Sequence, residues 1–422
     1  MSGTALGPNL LERTAVQDPY PLYHELREQT VVRKHVVKTL STRVRAWVVT
    51  GYAETRALLA DPRLSKDPGR GAAVIGRHAI DPVTTGAAYP PSMLFSDPPD
   101  HTRLRRLLGR AFTVRRVEAL RPWITELTGR LLDGVEPGVE FDLVRRIALP
   151  VPVAVIGKLL GVPDEMYEDF RRWNDIVVSI EADPELKHAT ITEAYQALAG
   201  LVAAKRSRPG DDLISQLLEA DDDGVRMTDG ELLATVFLMM NAGYETTANL
   251  ISSGVLALLL HPLQQQRLRR DGGLLQSAVE EFLRWESPLN LTTIRFTAEE
   301  VTIGGVTIPA GEIVFLSLCA ANRDPARFPE PDLLDIGRDA SSHLAFGHGL
   351  HHCLGAPLAR MEGQIVLDGL LSRFPVWQLA VPAGDLEWRD SLQFRGLRSL
   401  PVRMGFHDQE DKEHDNEMGE PQ

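Results

Sequence analysis

The run from Thr228 to Leu260 constrains the fold more than any other part of this chain. Thr228 with Glu231 three residues on is a capping-box start, and His261-Pro262 is a stop, because proline disfavours the helical conformation in the residue before it. Roughly 32 residues at about 1.5 Å per residue make a rod of about 48 Å, long enough to cross a whole domain. Such a rod must be central. Its hydrophobic stretch also reaches membrane-spanning length, but Asn241, Glu245, Thr246, Thr247 and Asn249 interrupt it. A carboxylate at mid-bilayer is expensive, so the expectation is a buried helix of a soluble protein that engages no membrane.

Apolar residues recur at helical spacing around 19–28, 52–60, 100–112, 114–135, 163–182, 190–205, 262–286 and 356–373. Strand signals are few. They fall at Trp47 to Thr50 and in VTIGGVTIPAGEIVFLSL, where Gly304-Gly305 is a two-residue hairpin turn. No flexible Gly/Ser linker divides these parts, which predicts one large domain, mainly α with a small β region. Of the 422 residues, 43% are hydrophobic and 24% charged, which excludes a disordered or fibrous chain.

Lys plus Arg total 45 against 58 Asp plus Glu, a net charge of -13 that argues against a nucleic-acid or anionic-lipid binder. After Phe406 the chain carries seven acids against Lys412 and almost nothing to bury. The spacing therefore predicts a flexible amino terminus over 1–14, a folded domain over 15–405 and an acidic disordered tail over 406–422. Cys319 and Cys353 cannot build a disulfide framework, and the amino terminus lacks an apolar export segment, so a cytoplasmic monomer is expected.

The segment Phe346-Gly-His-Gly-Leu-His-His-Cys-Leu-Gly355 surrounds Cys353 with three glycines just before a helix start near Ala356. Unpaired backbone N–H groups and the helix dipole favour a thiolate there. Three readings are open: a small buried hydrophobe, a zinc site built from Cys353, His352, His351 and His348, and thiolate ligation of haem iron. The zinc reading lacks paired-cysteine spacing.

The pattern F-G-x-G-x-H-x-C-x-G resembles the cysteine loop of cytochrome P-450 haem-thiolate enzymes. Other motifs can be sought independently. His101 and Arg105 are four apart on one helix face and could donate jointly to carboxylates. Arg103, Arg106 and Arg110 fall on the other face. Ala242-Gly243-Tyr244-Glu245-Thr246-Thr247 resembles the family's A-G-x-(D/E)-T element, and Thr246 can bond back into the preceding turn and loosen it. Glu281 and Arg284 are three apart, the spacing of a surface ion pair or, by the resemblance, of the buried E-x-x-R element completed by Arg338.

The resemblance covers about residues 15–405 and implies the cytochrome P-450 fold with haem b. It makes Cys353 the iron ligand and His101, Arg105, Arg295 and His351 the propionate partners. Glu245 and Thr246 become a proton relay to dioxygen, and Glu281, Arg284 and Arg338 a structural support. Ala242, Leu289, Asn290, Thr292 and Phe394 are implied to line the substrate pocket, with the 68–96 loop and the 168–205 region. No dinucleotide fingerprint is present, so electrons are expected from a ferredoxin and a ferredoxin reductase drawing on NAD(P)H, with the Arg103 face as a docking patch. The implied activity is hydroxylation of a bulky apolar polyketide or macrolide-like molecule; Glu181 and Asp183 could meet a basic sugar. The alternatives are oxidative coupling or ring formation by the same fold, and a non-catalytic helper of a glycosyltransferase.

Overall fold

The computed structural model describes residue 10 and residues 13–39, 42–81, 92–178, 182–221 and 224–406. Most of the 1–14 terminus, most of the 406–422 tail and Glu181 lie outside the described residues. Within them Leu10 is buried and a short helix begins at Arg13, so the folded part starts slightly earlier than the spacing predicts.

The central helix runs from Asp229 to Leu260. Its capping box is complete: the Glu231 N–H donates to Thr228 Oγ1 at 3.2 Å, and the Thr228 N–H donates to Glu231 Oε2 at 2.9 Å. The helices Pro150–Leu160, Pro184–Ser207, Leu275–Trp285 and Ala356–Arg373 pack around it. Gly243 allows the closest of these approaches, since a Cβ there would lie 2.5 Å from Ile156 Cδ1. No single helix among the described residues is long and apolar enough to cross a membrane.

Several boundaries differ from expectation, each for a local reason. The 114–135 segment divides into Val114–Ala119 and Arg121–Asp133, because Pro122 fits a first helical turn but not an interior. The 262–286 segment divides at Asp271, which caps Gly272–Leu274 before Leu275–Trp285 begins. Residues 68–78, expected as loop, form a helix capped by Asp67 with Pro68 at its first position. Pro150–Leu160 and Leu213–Glu219 were not expected as helices. The first of these is apolar except for exposed Lys158 and mostly buried, so its apolar residues show little periodicity.

The β structure forms a five-stranded sheet in the order Val32–Lys38, Arg43–Val49, Ile313–Leu316, Arg295–Thr297, Leu64–Ser65. A three-stranded sheet joins Glu140–Asp142, Pro401–Gly405 and Val376–Leu379. The hairpin of Val301–Ile303 and Val306–Ile308 turns at Gly304 (φ 56°) and Gly305 (φ 74°), both left-handed as a two-residue turn requires. The largest hydrophobic core surrounds the central helix, and two smaller cores flank the five-stranded sheet. The single domain is thus mainly α, and the cysteine loop lies where the helical and β parts meet.

Candidate active site

Two left-handed glycines shape the cysteine loop, Gly347 (φ 73°) and Gly349 (φ 72°). Any Cβ at Gly349 would sit 2.9 Å from Ala60 Cα, so both conformation and space demand glycine. The Cys353 N–H donates to the Phe346 carbonyl at 2.9 Å, closing the loop. Burial raises the Cys353 thiol pKa, while the Gly355 N–H, the Arg105 guanidinium and the Ala356 N–H oppose it by favouring thiolate. The sulfur is hemmed in by protein on its own side and opens into a cavity on the other.

The loop is anchored twice on the helix Leu275–Trp285. Glu280 accepts from Arg360 Nε (2.6 Å) and Nη2 (2.8 Å) and meets His343 Nε2 at 3.2 Å, while Arg360 also lies over the Phe346 ring. Glu281 and Arg284 are both fully buried and joined by two bonds of 2.7 and 2.8 Å. Arg338 Nε reaches Glu281 Oε1 at 3.3 Å, so the three predicted support residues do meet. Arg284 also donates to the carbonyls of Asn322 and Pro331, and Asn322 Oδ1 accepts from the Leu344 N–H just before the loop. The surface ion-pair alternative is thereby excluded.

One wall of the cavity holds Arg105, Arg295 and His351, with His101 stacked on His351 from behind. The two imidazoles stack at 4.3 Å, and neither ring nitrogen of buried His101 has a hydrogen-bond partner in the protein. Arg295 Nε is likewise unpartnered, and burial brings the guanidinium pKa down to about 10. Burial, then Lys66, His101, Arg295 and Arg105, push His351 down to about 2. Buried cations without anionic partners are costly unless a ligand supplies the charge. Two carboxylates of one flat ligand would do so, and the Cys353 sulfur open to the cavity would supply a thiolate donor to its iron, so the residues fit haem b.

The cavity has a volume of about 480 Å³ and runs from Cys353 past the middle of the central helix. Ala242, Gly243 and Thr246 face it, and Thr246 Oγ1 donates to the Ala242 carbonyl at 2.9 Å. Leu289, Thr292 and Phe394 line it, joined by Ile75, Met93, Phe95 and Val177 from the two predicted lining regions. Asn290 does not. It is buried on the other side of the chain, where Oδ1 accepts from Tyr23 at 2.6 Å and from Ser317 at 3.4 Å.

Glu245 turns off the cavity wall to pair with Arg389 Nη1 at 2.9 Å, leaving Oε2 unpartnered. Burial raises its pKa to about 7 despite Arg389. Two surface expectations need correction. Arg103 is tied to Glu231 and Arg110 to the Asp221 carbonyl, so the proposed docking face is partly consumed by internal bonds. Asp183 caps the helix Pro184–Ser207 through the Glu185 and Leu186 N–H groups rather than awaiting a basic sugar.

Sequence reading missed Arg389, Lys66, and the Glu280–His343–Arg360 anchor. All are assembled from distant segments; only the strand register beside Arg295 could have suggested Lys66.

A loop cysteine opening into a cavity, a cationic wall beside it, and a helix that presents Ala242, Gly243 and Thr246 to the same cavity define a haem-thiolate site. The cytochrome P450 family model matches residues 151–383. A vitamin D(3) 25-hydroxylase of Pseudonocardia autotrophica is 46% identical, with 94% of this chain aligned to 96% of that one. The 6-deoxyerythronolide B hydroxylase of Saccharopolyspora erythraea is 42% identical over 94% and 98%. Among solved structures, the tirandamycin C-bound P450 monooxygenase TamI superposes with a TM-score of 0.86 at 42% identity, covering 93% of this chain and 99% of that one. The chain belongs to the cytochrome P450 family. It is a haem-thiolate monooxygenase that uses haem b and dioxygen.

Proposed function

We propose that this enzyme hydroxylates a bulky, largely apolar polyketide or macrolide-like metabolite in the cytoplasm, with electrons from a ferredoxin and its NAD(P)H-dependent reductase. The observation that carries the reading is the Cys353 sulfur opening into a cavity whose far walls are the apolar side chains Leu289, Phe394, Met93 and Val177. Names among its relatives, vitamin D(3) 25-hydroxylase and 6-deoxyerythronolide B hydroxylase, support a large substrate.

Bound through a thiolate, haem supplies the oxidation of an unactivated C–H bond by dioxygen and two electrons. The chain does the rest. Cys353 would hold the iron, with the Gly355 and Ala356 N–H groups stabilising its sulfur; His101, Arg105, Arg295 and His351 would fix the propionates. The Thr246 hydroxyl and the Glu245 carboxyl would hold and pass protons on the central-helix side of the cavity, and the apolar walls would exclude bulk water while orienting the substrate. Retention of Cys353, Glu245 and Thr246 favours oxygen activation over a helper role.

The test is optical. Reduced protein with carbon monoxide should give the strongly red-shifted Soret band of thiolate ligation, and Cys353→Ser should abolish it. A wild-type band typical of imidazole ligation overturns the assignment. Loss of the distal-water spectrum on adding candidate macrolides or polyketides then ranks the substrates.

A further inference from the structure

Lys66 is 3% exposed, and its ammonium lies on the cavity wall beside the propionate-binding group. Among the described residues no hydrogen bond or ion pair from Nζ is found; the ammonium lies over the Phe95 ring, 5.9 Å from its centroid. The cause is the strand register. Leu64 pairs with Thr297 and Ser65 with Phe296, and the chain leaving that strand brings Lys66 close enough to Arg295 for their charges to oppose. Two like charges near one another are unfavourable, and burial magnifies the cost.

The adjacent carboxylate, Asp97, offsets only one of the charges. Its Oδ1 accepts from the Lys66 backbone N–H at 2.9 Å and its Oδ2 from the Ser65 hydroxyl. Lys66, Arg105 and Arg295 all lie close enough to His351 to act on it, with Asp97 as the carboxylate beside Lys66 and Arg295: three cations against one acid, an excess of two positive charges. A haem b carries two propionates.

We propose that Lys66 is a haem-binding residue, whose ammonium completes the charge match to the propionates beside Arg295. This rests on the propionate roles given above to Arg295 and His351. It differs from a packing role in its consequences: the charge, and not the side-chain volume, matters to haem retention and to the iron's reduction potential.

The experiment uses the holoenzyme. Haem transfer to excess apomyoglobin and the reduction midpoint are measured for wild type, Lys66→Met, Lys66→Gln and Lys66→Arg, with Arg295→Met in parallel. Losing one buried charge-assisted contact should speed haem loss about tenfold in both neutral variants and move the midpoint to more negative potential. Lys66→Arg should stay within about threefold of wild type. The Lys66→Met apoprotein should melt no lower than wild type, since the repulsion with Arg295 is gone.

Unchanged haem loss and midpoint in the neutral variants overturn the proposal. If Arg295→Met still accelerates loss, the propionate wall stands without Lys66; if it too has no effect, the wall assignment fails with it. Unchanged haem retention with weakened binding of carboxylate-bearing ligands would assign Lys66 to substrate instead, and also overturns it.

Discussion

At the scale of single residues, Glu245 is balanced between burial, which raises its pKa to about 7, and Arg389, which pulls it back. Below that pH it carries a proton at the edge of the oxygen side; above it the Arg389 pair is charged. The fraction of NAD(P)H converted to product should therefore inflect near pH 7, and Glu245→Gln should remove the inflection while lowering turnover. Thr246→Ala should raise peroxide released per NAD(P)H at every pH. Unchanged coupling would remove Thr246 from the relay. The sign for stability is opposite to that of most carboxylates. The folded chain keeps a proton that the unfolded chain sheds above about pH 4.5, so this group lowers stability as pH rises through 7. Cys353, His351 and Thr246 were legible because their chemistry is written in contiguous spacing. Arg389, 144 residues from Glu245, was not, since no local period encodes a partner from another segment.

At the scale of elements, the best-read helices were those with chemical end markers. Thr228 and Pro262 bound the central helix, and Gly355 precedes Ala356–Arg373. Pro68–His78 was hidden by its three glycines; one of them, Gly71, leaves room for the Phe296 ring, 2.5 Å from where a Cβ would stand. The helix Leu275–Trp285 carries the most exposed risk to mutation. Arg284→Met would leave Glu281 as a buried charge with only Arg338 at 3.3 Å and one backbone N–H, a loss of about 3–5 kcal/mol. Urea unfolding should report that loss together with reduced haem content, because the Asn322–Leu344 link to the cysteine loop is released. An unaltered midpoint would mean that the triad is not what holds the loop.

At the scale of the whole molecule, the all-round reading of one mainly helical domain was available from composition and period, but the sheets were not. Arg43–Val49 pairs in parallel with Ile313–Leu316, a contact between chain segments far apart in sequence. Acid stability belongs at this scale too. Burial alone would raise Glu280, but Arg360 and His343 outweigh it and hold the carboxyl down to about 2. Its depressed pKa contributes stability above about pH 4.5 that drains away as pH falls toward 2. The Soret band and far-ultraviolet circular dichroism, followed through that window, should fade together, and Glu280→Gln should flatten the acid limb while lowering stability at neutral pH.

The seam between helices and sheet carries a further consequence. Lys66 and Arg295 are crowded there where burial disfavours the charge on each, a cost that the carboxylates of a porphyrin would relieve. Protein lacking its porphyrin should therefore be the less stable form and the first to be cut by proteases, which limited proteolysis of apoprotein and holoprotein side by side would show.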